Sequence, residues 1–281
     1  MLLKTDNTTR SDPDAIEGLE KKRGRIRSRQ GGWIPGKGVY NHGFSMLEDL
    51  VGKKTFMQIV VLNATGKLVS KPLADWIEAI YGCLSWPDPR IWCNHIGALA
   101  GEAQTSVTAA TVAGTLAADS RAYGQKTLVA GLTFIQTARA LQRSGDSARD
   151  IIDREVKANR GKVDIVGFAR PLAKGDERLT TMESVTQELG FDKGEHLCLA
   201  YEIEQVLVHD YGESMNINGY MSAFLSDQGF TPEEVYRIYS VMVFSGVTAC
   251  YVEYADRPAH DFLPLRCDDI SYIGPSVRTL I

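Results

Sequence analysis

The sequence predicts an all-α protein. Three observations carry that reading: β-branched runs with period-two alternation are nearly absent, helix-capping signatures recur along the chain, and apolar residues repeat at helical spacing. The segment VDIVGF (163–168) is the one short stretch that reads as a strand. RQGGWIPGKGVYNHG, with five glycines and a proline, reads as a loop without regular structure.

The helices follow in order. Ser45 with Glu48 forms a capping box ahead of MLEDL, and FMQIVVLNAT runs to a C-cap at Gly66. Pro72 sits in a first helical turn, ahead of Leu73, Trp76, Ile77, Ile80 and Tyr81 on one face. Residues 95–120 are rich in Ala, Gly, Ser and Thr, which predicts one central helix packed closely against others. Helices are expected at 126–143 and 144–159, then from a Thr180/Glu183 cap to Gly190, and again from Gly194 to Val208. Thr231, Pro232 and Glu234 begin what reads as the longest apolar helix, ending near Tyr254. The C-terminal stretch from Arg257 to Arg278 holds three prolines and reads as a structured, irregular tail.

Composition narrows the function classes. The chain has 31 basic and 35 acidic residues, a net charge of −4, which argues against a dedicated nucleic-acid binder. No run of about 18 apolar residues suggests a membrane span, and the first twenty residues lack the apolar core of a signal peptide. The cysteines at 83, 93, 198, 250 and 267 form no CxxC pair, which predicts reduced thiols in a cytoplasmic protein and no zinc site. Residues 1–30 read as a flexible basic arm, with six cations between Lys21 and Arg29. Some of these arginines could close over an anionic ligand or a partner subunit.

No GxSxG, HExxH or P-loop is present, and His42, His95, His196, His209 and His260 are scattered. A more specific set is VGFARPLAKGDER (166–178), MNINGY (215–220), SGVTACYVE (245–253) and DDISYIGP (268–275), preceded by RIWCNHIGALAGEAQTS and AYGQ. In order and spacing these resemble the citrate synthase and citryl-CoA lyase superfamily over about residues 35 to 278. There a G-F-G-H-P loop ending in D-P-R, an N-x-D segment, a G-x-x-A-H-x-x-E helix and a closing Y-x-G-P follow one another. The resemblance implies a citrate synthase-like homodimer, with a large helical domain (31–124 plus 223–281) and an inserted smaller one (125–222) that closes on the ligand. It also implies an enzyme that makes or breaks a carbon–carbon bond between an acyl-CoA and a 2-oxo acid, with a coenzyme A thioester as co-substrate and no tightly bound cofactor or metal.

Carried over residue by residue, the family's acid–base groups are replaced. The N-x-D aspartate falls on Asn218, the G-F-G-H histidine on Arg170, and the histidine of the loop before the smaller domain on Tyr123. An earlier substrate-contacting histidine falls near Trp86, the G-x-x-A-H histidine on Cys250, and a family arginine on Val243. Arg178 matches the arginine that holds a substrate carboxylate, Arg90 and Trp86 lie in the first substrate-contact segment, and Lys162 and Lys174 flank the loop that binds the CoA phosphates. Glu253 keeps the position of the motif's glutamate.

An asparagine cannot take a proton at neutral pH, so ordinary citrate formation is not expected. Two readings stand: an enzyme working on a substrate that supplies its own enolate, such as a malonyl-type acyl group losing CO₂, with Tyr123 as proton donor; or a non-catalytic CoA- or metabolite-binding relative. A third places a nucleophile–base pair at Cys93 and His95, beside Asp88.

Overall fold

The computed structural model describes residues 13–24, 26–120, 124–168, 175–258 and 267–279. Tyr123, Arg170, Lys174 and His260 therefore lie outside the described residues. The chain divides into two compact units, Met1–Lys54 and Thr55–Ile281.

In the first unit, α1 (Pro13–Glu20) occupies part of the expected arm and pairs Glu17 with Lys21 and Glu20 with Arg23. The expectation of a loop after residue 28 is overturned: β1 (Gly31–Ile34), β2 (Gly38–Asn41) and β3 (Phe44–Ser45) form an antiparallel sheet in the order β1-β2-β3. The glycines that suggested irregularity are what permit it. A Cβ on Gly31 would stand 2.7 Å from the Tyr40 carbonyl oxygen, and β2 turns into β3 through His42 (φ 49°) and Gly43 (φ 84°). Two consecutive positive φ angles match the right-handed twist of paired strands. The helical turn Met46–Leu50 then begins at Ser45 as expected, but it is a π turn, and Asp49 rather than Glu48 reaches back to the Ser45 N–H.

The second unit is helical throughout. α2 (Phe56–Thr65) opens with a Thr55/Gln58 capping box and stops at Gly66 (φ 78°), and α3 (Lys71–Leu84) starts at Ser70 with its proline in the first turn. α3 buries Leu73, Trp76, Ile77 and Ile80, the face expected from their spacing. Trp76 stacks on Phe224 at 3.9 Å between centroids and donates its indole N–H to Thr186 Oγ1 at 2.7 Å.

The expected helix over 95–120 is two helices, α4 (Trp92–Glu102) and α5 (Val107–Ala118). Gln104 takes a left-handed φ of 55° and Ser106 caps α5, so the polar Gln-Thr-Ser run marks a corner. The close packing is present. A Cβ on Gly97 would lie 2.5 Å from the Val247 carbonyl oxygen, one on Gly101 would overlap that of Tyr251, and one on Gly114 would overlap the Val247 side chain.

After α6 (Gln125–Arg143) and α7 (Ala148–Ala158), residues 163–168 form turns and bends, so the strand expected there is absent. α8 (Arg178–Glu188) begins two residues before Thr180, which therefore does not cap it; Glu183 instead accepts from the Tyr201 hydroxyl. α9 (Glu195–Tyr211) starts on the carboxylate of Asp227, which accepts the His196 and Leu197 N–H groups. α10 (Ile217–Asp227) is buried along nearly its whole length, against α6, α8 and α9.

The single helix expected from Thr231 to Tyr254 is also two, α11 (Pro232–Ile238) and α12 (Phe244–Ala255). Side chains from elsewhere satisfy the carbonyls at the break: the Tyr81 hydroxyl donates to Ile238, Gln125 Nε2 to Ser240 at 2.6 Å, and Ser85 Oγ to Met242 at 3.0 Å. Unpaired backbone groups are costly to bury, so these bonds let an apolar sequence leave the helix inside the core. No helix among the described residues is long and apolar enough to cross a membrane.

Candidate active site

The loop that follows α7 and the start of α10 form one wall. Gly167, at φ +91°, accepts the Asn216 N–H at 2.9 Å, and a Cβ on it would stand 2.7 Å from the Gly219 Cα. Asn216 caps α10 by accepting from the N–H groups of Asn218 and Gly219. The two motif segments 166–178 and 215–220 are thus brought together.

Asp176 joins them. Its side chain is fully enclosed; it accepts from Arg178 Nε at 2.7 Å and Nη2 at 2.6 Å, and from the Ile217 N–H at 2.9 Å. Burial raises a carboxyl group's pKa, but the Arg178 guanidinium and the Ile217 N–H outweigh it and hold Asp176 below the usual carboxylate range. Arg178 remains 22% exposed. With Nε–H and one Nη2–H committed, three of its five N–H donors are left for a ligand. Such a fork suits a carboxylate or phosphate.

Asn218 points elsewhere. Its Nδ2 donates to the Thr127 carbonyl in α6 at 2.9 Å and its Oδ1 accepts from Ser222 at 2.9 Å. Its amide therefore fastens α10 to α6, where Gly131 leaves the room. Asn218→Asp is expected to destabilise the fold: an oxygen would face the Thr127 carbonyl, a loss of about 1–3 kcal/mol. The favourable position of an anion in the first turn of α10 returns only about 0.3–1 kcal/mol. A lower midpoint in urea unfolding checks this; an unchanged or raised midpoint contradicts it.

Trp86 and Arg90 lie on the turn between α3 and α4. Asn94 pins this turn by donating to the carbonyls of Trp86 (2.9 Å) and Asp88 (3.1 Å). The exposed Arg90 closes on the half-buried Asp88 at 2.6 Å and, through that bond, draws its carboxyl down to about 2. The turn follows Cys83, which lies within electrostatic reach of Arg178 and Asp176. Cys93 is buried and its thiol pushed up by burial, whereas His95 is exposed, so the two face apart and make no nucleophile–base pair. Cys250 is buried and pushed up to about 11, chiefly by burial, and Glu253 pairs with Arg257 on the surface.

Lys162 and Arg160 are exposed beyond the end of α7, and Lys157 is exposed in its last turn. Arg160 holds a left-handed φ of 57° beside Gly161, so three cations cluster around the helix end. The sequence signal, Lys-Ala-Asn-Arg-Gly-Lys, was legible, but only Lys162 was drawn from it. Asp176 was likewise passed over, although its place two residues before Arg178 puts both on one turn. Among the described residues, no group of three or more His, Cys, Asp or Glu side chains is arranged to hold a metal ion.

The chain has the fold of the citrate synthase/citryl-CoA lyase superfamily. It superimposes on a citryl-CoA lyase from Hydrogenobacter thermophilus with a TM-score of 0.75 and 22% identity, covering 91% of this chain and 97% of that one. An ATP citrate lyase from Methanothrix soehngenii, determined with citrate and coenzyme A, matches with a TM-score of 0.75 and 17% identity over 95% of this chain, which spans 45% of that protein. A citrate synthase from Thermoplasma acidophilum, determined with carboxymethyl coenzyme A and oxaloacetate, matches with a TM-score of 0.58 and 13% identity, covering 81% of this chain and 59% of that one. No protein-family model matches the sequence, and no curated protein matches it.

Proposed function

We propose that this chain makes or breaks a carbon–carbon bond between an acyl-CoA, or a related activated acid, and a 2-oxo acid, with Arg178 gripping a substrate carboxylate. The observation that carries the reading is the Asp176–Arg178 pair, set where the two motif segments meet, with Arg178 still 22% exposed. Likeness to a citryl-CoA lyase over nearly the whole of both chains supports the same assignment.

In this scheme Arg178 orients the carboxylate and Asp176 orients Arg178. Arg170 holds a second anionic group or the enolate oxygen, Tyr123 donates a proton, and Trp86 and Arg90 border the substrate. Lys162 and Lys174 take the CoA phosphates, a role supported for Lys162 by the neighbouring Lys157 and Arg160. Asn218 acts by placing α10. A malonyl-type group that releases CO₂ provides the enolate without a base, which suits a site where the family aspartate is an amide. Residues 125–222 move as the smaller domain in this scheme, closing over the ligand.

The protein works as a cytoplasmic homodimer in this reading. The α4–α5 layer leaves Val107, Val112 and Leu116 exposed, Leu116 by 70%, a surface suited to a second copy. Leu116→Glu is expected to convert the dimer to monomer in sedimentation velocity; a wild-type chain already monomeric contradicts the assignment.

A second reading, a CoA- or metabolite-binding protein without turnover, is favoured by the two hydrogen bonds that commit the Asn218 amide to packing. Incubating the purified chain with acyl-CoAs, malonyl-CoA among them, and 2-oxo acids separates the two. Release of free thiol with a new product supports the enzyme. CoA binding in calorimetry without turnover supports the second reading, and neither result removes both.

A further inference from the structure

The N-terminal unit has almost no core of its own. Among the described residues of Met1–Lys54, Leu50 alone is buried, whereas Ile26, Trp33, Ile34, Met46 and Leu47 stand exposed, Trp33 by 69%. A small sheet needs an apolar face packed against something to hold its form. One edge of the sheet is also open. The His42 N–H bonds to the Gln30 carbonyl at 2.6 Å and sets the alternation, so Gly32 and Ile34 face β2 while the backbone groups of Trp33 turn outward from β1. Such an edge accepts an added strand.

Charge narrows what can fill that edge. Residues 1–54 hold 11 basic and 7 acidic side chains, a balance of +4, and the rest of the chain holds 20 and 28, a balance of −8. Arg27 and Arg29 precede β1 and Lys37 follows it, all three exposed. Two copies of β1 paired antiparallel, edge to edge, would set the arginines of each against Lys37 of the other, so the sheet is poorly suited to pair with itself. The C-terminal stretch has the opposite character. Asp268 and Asp269 lead it, and residues 270–273 then form no helix, strand or turn. Ile270, Tyr272 and Ile273 are exposed, Ile273 by 94%, and the Tyr272 hydroxyl donates to the Pro275 carbonyl at 2.9 Å, a contact within the tail.

We infer that β1 takes residues 270–273 of a second copy as a fourth strand, so that each copy's tail completes the other's N-terminal sheet. This rests on the self-association given above, though not on Leu116 or Arg178. Parallel alignment fits the chemistry: with Ile270 beside Gly31, Asp268 falls beside Arg29, Tyr272 beside Trp33 and Ile273 beside Ile34. Opposite charges and aromatic or aliphatic neighbours on adjacent strands each stabilise a pairing. The reverse direction would bring Arg278 alongside Arg27 instead. Reciprocal exchange of the tails closes within a dimer and covers the open edge of β1 in both copies.

Disulfide trapping on the full chain tests the inference. One preparation carries Gly32→Cys, where an added side chain meets nothing within 4 Å, and the other Ser271→Cys, both with Cys198→Ser and Cys267→Ser. Mixed and oxidised, they should form a disulfide-linked heterodimer, whereas Gly32→Cys oxidised alone should not link to itself. Adding Arg27→Glu and Arg29→Glu to the first chain should cut the yield about tenfold. Trp33→Cys with Tyr272→Cys repeats the test without replacing a glycine, and the same result is expected. A wild type that sediments as a dimer yet gives no heterodimer in either pairing overturns this inference alone. So does linkage of Gly32→Cys to itself, or a disulfide closing within a single chain that carries both cysteines. A monomeric wild type overturns both this inference and the self-association it rests on.

Discussion

Arg178→Ala is expected to abolish carboxylate binding and to lower the stability of the fold by about 3–5 kcal/mol. The stability loss arises because the Asp176 side chain is fully enclosed and would lose the bidentate guanidinium, while backbone donors such as the Ile217 and Arg178 N–H groups carry no compensating charge. Domains of ordinary stability have about 5–15 kcal/mol in total, so the variant should fold but denature early. Chemical denaturation and calorimetry on the same preparation measure the two effects. Replacing both members, Asp176→Leu with Arg178→Met, separates them: a buried pair exchanged for apolar groups should recover much of the stability while binding stays lost. An Arg178→Ala protein with wild-type affinity would detach the guanidinium from the ligand altogether. Arg178→Lys should bind only weakly, because an ammonium cannot span the two Asp176 oxygens and a ligand as a planar fork does.

The second large effect is expected at Gly101. An added methyl would overlap the Tyr251 carbonyl and stand 3.0 Å from the Ala255 nitrogen, so α4 and α12 must separate. Backbone cannot rotate away as a side chain can, and overpacking of this kind costs about 1–3 kcal/mol or more. Gly82→Ala is the control. It lies in the last turn of α3 with nothing within 4 Å of the new methyl, and replacing a helical glycine gains at most about 0.5–1 kcal/mol. The same substitution at two helical glycines should therefore move the thermal midpoint in opposite directions. Equal shifts would mean that the α4–α12 approach is looser than these distances.

The helices were legible where local chemistry decides them. Pro72 and Gly66 act within a few residues of their own position, and each appears where the pattern puts it. The corner at 103–106 carries a local signal in its polar Gln-Thr-Ser run, but the break at 239–243 was not legible, because that stretch remains apolar enough to continue. What ends α11 there is the reach of Gln125 and Ser85 across the core, over sequence separations no window captures. The sheet at 31–45 was missed for a related reason: glycine reads as disorder until its strand partner is known. At the site, the meeting of 166–178 with 215–220 followed from motif order. The partners of the side chains did not. Asn218 was read as facing a substrate and instead faces α6, a difference set by the rotation of α10 about its axis.

The contact between Gly167 and Gly219 limits how this protein can change over evolutionary time. Main chain meets main chain there with no room for a side chain on either residue, so the two segments cannot slide past each other by accumulating larger residues. Descendants that acquire a new substrate must keep this seam and redraw the chemistry around its margin, by exchanging groups such as Arg178. The seam acts as a fixed datum from which new specificities are measured.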